Sequence, residues 1–142
     1  MWRDSLLHRR CIIPSFGFFE PHRTEKAVSE RSGREVKRQY RFDGPTRLLF
    51  MGGIFENGHF SLLTTAPNDA VSPVHDRMPL VLLEHEIPIW LSPDFEALFD
   101  RTGIALTSAP VQPLAADGNV RDGKGGRSAG ASPNPEQPQL WS

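Results

Sequence analysis

"RLLFMGGIF", Arg47 to Phe55, and "HFSLLTT", His59 to Thr65, are two apolar runs set three residues apart. Both are rich in aromatic and branched side chains, and neither is long enough to pass for anything but a strand. Four more segments of the same kind flank them: "CIIP", "FGFFE" and "QYRFDG" before, and "MPLVLL" after, broken by Gly, Pro or Asp. Strands this short and this close together predict an α+β domain that is mainly antiparallel β. Within the first run, "MGGIF" does not have the spacing of a phosphate-binding glycine loop, and its glycines predict a bulge or a close approach of another element.

Residues 21–38, "PHRTEKAVSERSGREVKR", lack sustained apolar periodicity and read as an excursion between strands. A short helix is predicted over "SPDFEALFD", with Ser92 as its N-cap, Pro93 in the first turn, and Phe95, Leu98 and Phe99 on one face. Beyond Leu114 the chain turns to Gly, Pro and small polar residues, which bury too little apolar surface to offset the entropy of ordering. The expected organisation is one domain over residues 1–113 and a disordered tail over 114–142.

The 142 residues include one cysteine and carry a net charge of −1. That small value conceals an asymmetry: residues 1–47 hold 11 Lys and Arg against 6 Asp and Glu, and the remainder holds 5 against 11. The basic first third suits either a phosphate partner or a solvated hairpin. Leu48 to Phe55 is far below the roughly 20 apolar residues of a membrane helix. The N-terminus lacks the basic-then-apolar order of a signal peptide. A cytoplasmic monomer is therefore expected. A lone Cys11 has no internal disulfide partner, and His8, His22, His59, His75 and His85 have no paired ligand spacing, so neither a metal site nor a cofactor is predicted.

Three places bear chemistry. If "SFGFFE" is extended, Phe16, Phe18 and Glu20 share one face, and Gly17 and Phe19 take the other. A carboxylate among aromatic rings holds its proton more tightly and becomes useful for acid–base work near neutrality; the alternative is that Glu20 ends the strand in solvent. In "PVHDRMP", Pro73 to Pro79, each proline biases its predecessor toward extended backbone, which would point His75 and Arg77 the same way and Asp76 toward the loop. An imidazole beside a guanidinium suits an anionic ligand, although a surface histidine has no less claim on these residues alone. Thr64, Thr65 and Asn68 in "LLTTAPN" suit phosphate contacts or the capping of a turn.

In order and spacing, "RRCIIPSFGFFE", "RLLFMGGIFE", "FSLLTTAPNDAVSPVHDRMPLVL" and "IWLSPD" resemble the C-terminal half of the SOS-response-associated peptidase (SRAP) family. The resemblance implies a protein of the DNA-damage response. Members of that family bind single-stranded DNA and crosslink to abasic sites through an N-terminal cysteine, and the same nucleophile serves as a peptidase that removes a short leader. Carried over by position, Glu20 and His75 are the implied catalytic residues, handling protons around the amine and the sugar. Arg77 and Thr64 fall at the implied positions that hold the DNA backbone; Thr65, from its hydroxyl beside Thr64, and Phe18, as a stacking ring, are the further DNA-binding candidates.

This sequence also departs from the family. Trp2 stands where the family has its cysteine, and Cys11 is internal and lacks the free α-amine that ring closure requires. Pro21 follows Glu20 where the family has an aromatic residue. The expectation is a truncated form lacking the nucleophile, with, as the alternative, a non-catalytic module that binds single-stranded DNA through its basic lobe and rings such as Phe18 and Phe19. A hydrolase built on Glu20, His75 and Asp76 is the third reading.

Overall fold

The computed structural model describes residues 2–111. Helix α1 (Trp2–His8) leads into β1 (Arg10–Ser15), β2 (Phe18–Val28), β3 (Glu35–Asp43), β4 (Leu49–Glu56) and β5 (His59–Leu62). Three two-residue strands follow: β6 (Thr64–Thr65), β7 (Met78–Pro79) and β8 (Val81–Leu82). A 3-10 turn (Glu84–Glu86), helix α2 (Ile87–Trp90), a second 3-10 turn (Phe95–Leu98) and β9 (Thr107–Pro110) complete the described chain. All strand pairs are antiparallel, and the class is α+β.

One sheet has the order β1-β4-β5, with β8 also paired to β4. The second has the order β2-β3-β9, and β6 pairs with β7. The alternation of β4 and β8 places one core on each face of the first sheet. On the side of the second sheet, Met51, Val81, Val71, Val74 and Met78 pack with Phe18 and Phe42. On the other side, Leu80, Leu82 and Trp90 pack with Phe95 and Leu98 from the helical segment.

The two glycines of β4 mark close approaches, as their sequence context predicts. A Cβ on Gly52 would lie 2.6 Å from Leu80 Cδ2 and 3.0 Å from Trp90 Cζ2; one on Gly53 would lie 2.5 Å from Ile13 Cδ1. Gly52 is also a branch point. Its N–H donates to the Leu80 carbonyl, its carbonyl accepts from Leu63, and Leu80 N–H donates to the Leu63 carbonyl. From this node the chain flanking Leu63 and the chain flanking Leu80 leave β4 and pair with each other as β6 and β7.

Arg10 holds the helical segment to the strands. Its guanidinium donates to the carbonyls of Leu6 and Leu7 at the end of α1, and to those of Trp90 and Ser92, while lying 4.0 Å from the Phe95 ring centroid. Arg101, 6% exposed, pairs at 2.8 Å with Glu86, whose carboxylate also accepts from the Leu83 N–H.

Three expectations change. The predicted helix over "SPDFEALFD" is a single 3-10 turn, because Ser92 Oγ accepts from the Asp94 N–H and tightens the entry before a regular α-helical turn forms. Residues 21–38 are not a detour between strands. They are the distal arms of β2 and β3 themselves, a hairpin whose side chains are largely exposed on both faces, which removes the periodicity a half-buried strand would show. The tail predicted over 114–142 lies outside the described residues.

Candidate active site

Strand β2 does not end at Glu20. It continues through Pro21, where the pairing with β3 breaks register and resumes at Lys26. Pro21 has no N–H to give a ladder, and a bulge is where a strand tolerates that loss. The bulged residues turn on His22, whose Nδ1 accepts from the N–H groups of Thr24 and Glu25. Arg23 is thereby carried to the loop ahead of His75: its N–H donates to the Val74 carbonyl at 3.0 Å and its guanidinium to the Ser72 carbonyl at 3.0 Å.

That loop is fixed from within. Asn68 Oδ1 accepts from Ala70 and Val71, Asn68 Nδ2 donates to the Ile104 carbonyl, and Val71, Val74 and Met78 are buried. Asn68 is thus a turn cap. Val74 and His75 both donate their N–H to the Val71 carbonyl, so the stretch before His75 is a tight turn, and only Met78 and Pro79 are strand. The extended conformation expected of "PVHDRMP" gives way at its start to this turn, because Asn68 captures the amides of Ala70 and Val71 and the turn it opens runs on to Val74 and His75 through the Val71 carbonyl.

The result is that Glu20 Oε2 lies 3.7 Å from His75 Nδ1, and Asp76 Oδ1 lies 3.5 Å from the same nitrogen. The Glu20 side chain is 18% exposed, that of His75 28%, and that of Asp76 72%. His75 Nδ1 also accepts from the Arg77 N–H at 3.2 Å. Burial pushes the Glu20 carboxyl above the ordinary glutamate range; His75 pulls it back in part, and Asp76 pushes it further up. A carboxyl whose pKa is raised by burial, beside an imidazole, is better suited to giving and taking a proton than an exposed glutamate.

Arg77 turns to the other side. Its Nη2 donates to the Thr64 carbonyl at 2.8 Å and to Thr64 Oγ1 at 2.9 Å, and its Nε to the same hydroxyl at 3.2 Å. The β6–β7 pairing brings Thr64 opposite Pro79 and so within this reach. Thr65 donates its hydroxyl to the Phe99 carbonyl. Leu6, Leu63, Leu80 and Phe99 line an open cleft of about 270 Å³ together with Thr64 and Arg77.

Phe18 does not belong with these groups as a surface contact. It is 7% exposed and stacks on Phe42 at 5.0 Å, because it faces the core on the strand where Phe19, 55% exposed, faces out. Phe16 does not share its face either, since Gly17 at φ +145° redirects the chain between them. Arg23 is the site residue that pattern reading passed over. Its signal was present in Pro21, which a strand tolerates at a sheet edge or a bulge and which here sits at both. Cys11 is half-buried, and burial raises its thiol pKa.

The profile of the SOS response associated peptidase (SRAP) family matches residues 1–115. The chain belongs to the SRAP family. Relatives include the "Abasic site processing protein YoqW" of Bacillus subtilis (strain 168), 27% identical over an alignment of 101 residues, with 65% of this chain and 42% of that protein covered. The "Abasic site processing protein YoaM" of the same organism is 28% identical over an alignment of 101 residues, with 65% of this chain and 41% of its own length covered. The chain therefore spans about two fifths of the length of these SRAP relatives. Among its described residues no helix is long and apolar enough to cross a membrane.

Proposed function

We propose that this chain serves the DNA-damage response by handling abasic sites in single-stranded DNA, with Glu20 and His75 as the proton-transfer pair and Arg77, Thr64 and Thr65 beside the strand. The observation that carries the reading is the 3.7 Å approach of Glu20 Oε2 to His75 Nδ1 in a partly shielded position next to an arginine. Relatives named for abasic-site processing support the substrate class.

The chemistry asks for such a pair. An abasic sugar opens to an aldehyde, and a 1,2-aminothiol captures it in two stages. The amine nitrogen bonds to the aldehyde carbon, and the resulting hydroxyl leaves as water after accepting a proton. The thiol sulfur then bonds to the imine carbon, and its proton ends on the ring nitrogen. One group must donate and later accept, which suits a carboxyl with a raised pKa, and a second must relay, which suits the imidazole. Cys11 does not supply the aminothiol, because its nitrogen is a backbone amide in β1.

The test adds L-cysteine as the aminothiol to an abasic single-stranded oligonucleotide, with and without the chain. Faster thiazolidine formation on the DNA in the presence of the chain is expected. Salt-dependent DNA binding without acceleration would overturn the acid–base reading and leave a non-catalytic binding module, which the exposed basic hairpin of β2 and β3 favours.

A further inference from the structure

The face of the β2-β3-β9 sheet that points away from the core carries large side chains that the proposed site does not use. Phe19 stands in register with Arg41, and Arg41 with Ala109. All three belong to one row on the outer face, since Phe18 and Phe42 in the next row are buried. The Arg41 guanidinium lies 5.8 Å from the Phe19 ring centroid, donates to both carboxylate oxygens of Asp43, and donates to the Phe16 carbonyl at 3.1 Å. The Arg47 guanidinium lies 5.6 Å from the ring centroid of Phe16, which is 63% exposed. Aromatic ring and cation thus alternate, Phe19, Arg41, Phe16, Arg47, and the last three of these line an open cleft of about 410 Å³.

We infer that Phe16 and Phe19 form a stacking platform for the bases that flank the lesion in single-stranded DNA, with Arg47 as its phosphate contact. The inference rests on the single-stranded DNA reading above and extends it to undamaged nucleotides. Exposed rings on a sheet face, interleaved with cations, are what sequence-tolerant binding of single strands requires. Arg41 is held by Asp43 and the Phe16 carbonyl, so the platform exists before a ligand arrives. Arg47 has no hydrogen-bond or ion-pair partner among the described residues, which leaves its fork for a phosphate. Phe19 and Glu20 are consecutive on β2, and β2 is an edge of its sheet. A strand whose sugar lies at Glu20 has only that edge to cross before its neighbouring base meets Phe19.

The experiment compares the chain with F16A, F19A and the double variant by fluorescence anisotropy at low salt. The probes are a ~15-nucleotide oligothymidylate and a base-free oligomer of the same phosphate count. The double variant is expected to bind oligothymidylate about 5- to 150-fold more weakly per lost stack, with F19W restoring its share. Binding of the base-free oligomer should not change. Both rings are exposed, and an unchanged thermal melt confirms that the variants fold. Equal loss on both probes, or no loss on oligothymidylate, would overturn the inference while leaving the site at Glu20 and His75 standing. Absence of binding by the unaltered chain to either probe would remove both.

Discussion

Glu20 on β2 and His75 in the loop ahead of β7 meet at 3.7 Å because a bulge at Pro21 lets Arg23 pin the Ser72–Val74 turn to the strand. The carboxyl in that contact has a pKa above its ordinary 4.5, with burial as the main cause. A carboxyl whose folded pKa exceeds its unfolded value favours folding below the unfolded pKa, and that contribution is lost as pH rises through the folded pKa. Glu20→Gln, which stays neutral, should therefore melt higher than the unaltered chain at neutral pH. The difference should shrink as pH falls toward 4.5. Thermal melts of both proteins across that window check it, and a difference independent of pH would contradict the burial argument.

Arg77 is committed to Thr64 through Nε and Nη2, and Nη1, which has no partner among the described residues, is available to a phosphate. Replacing it with Ala should weaken single-stranded DNA binding and reduce the slope of log K against log salt by about 0.7, the share of one phosphate contact. Thr64→Val should leave the slope nearly unchanged, because it removes a partner of the arginine and not the charge. Equal slopes for R77A and the unaltered chain would place Arg77 in a structural role only.

Gly52 leaves no room for a methyl group between Leu80 and Trp90. Gly52→Ala should destabilise the fold by about 1–3 kcal/mol, the usual cost of overpacking a tight core. Chemical denaturation measures it. A neutral result would mean that Trp90 can move away, although its indole N–H donates to the Cys11 carbonyl and resists that movement.

Cys11→Ala should leave DNA binding and any acceleration of cysteine capture unchanged. The thiol is half-buried with a raised pKa, and its own nitrogen is a peptide amide. Loss of acceleration in this variant, measured on the abasic oligonucleotide, would assign the thiol a role that its position in β1 argues against.

The strands were legible because Leu49, Met51, Phe18 and Phe42 occur in short apolar runs between turn residues, and the pair of glycines in β4 announced the close contact that Leu80 and Trp90 make. The hairpin arms were not, since a strand exposed on both faces carries no alternation to read. Glu20 and His75 stood out as residue types, and the family resemblance carried by "RRCIIPSFGFFE" and "PVHDRMP" joined them. Their geometry came from elsewhere: Asn68 turned an expected strand into a turn, and Gly17 separated Phe16 from the face of Phe18. Both effects are local backbone choices that the apolar pattern does not record.

The most direct measurement is the rate at which L-cysteine closes a thiazolidine on an abasic single-stranded oligonucleotide saturated with the chain, compared with the same DNA saturated with Glu20→Gln or His75→Ala. If the pair transfers protons, each variant should lose the acceleration, by roughly 100-fold or more where the chemical step limits the rate. DNA affinity should be retained. Equal rates for the unaltered chain and both variants at full DNA occupancy would contradict the account.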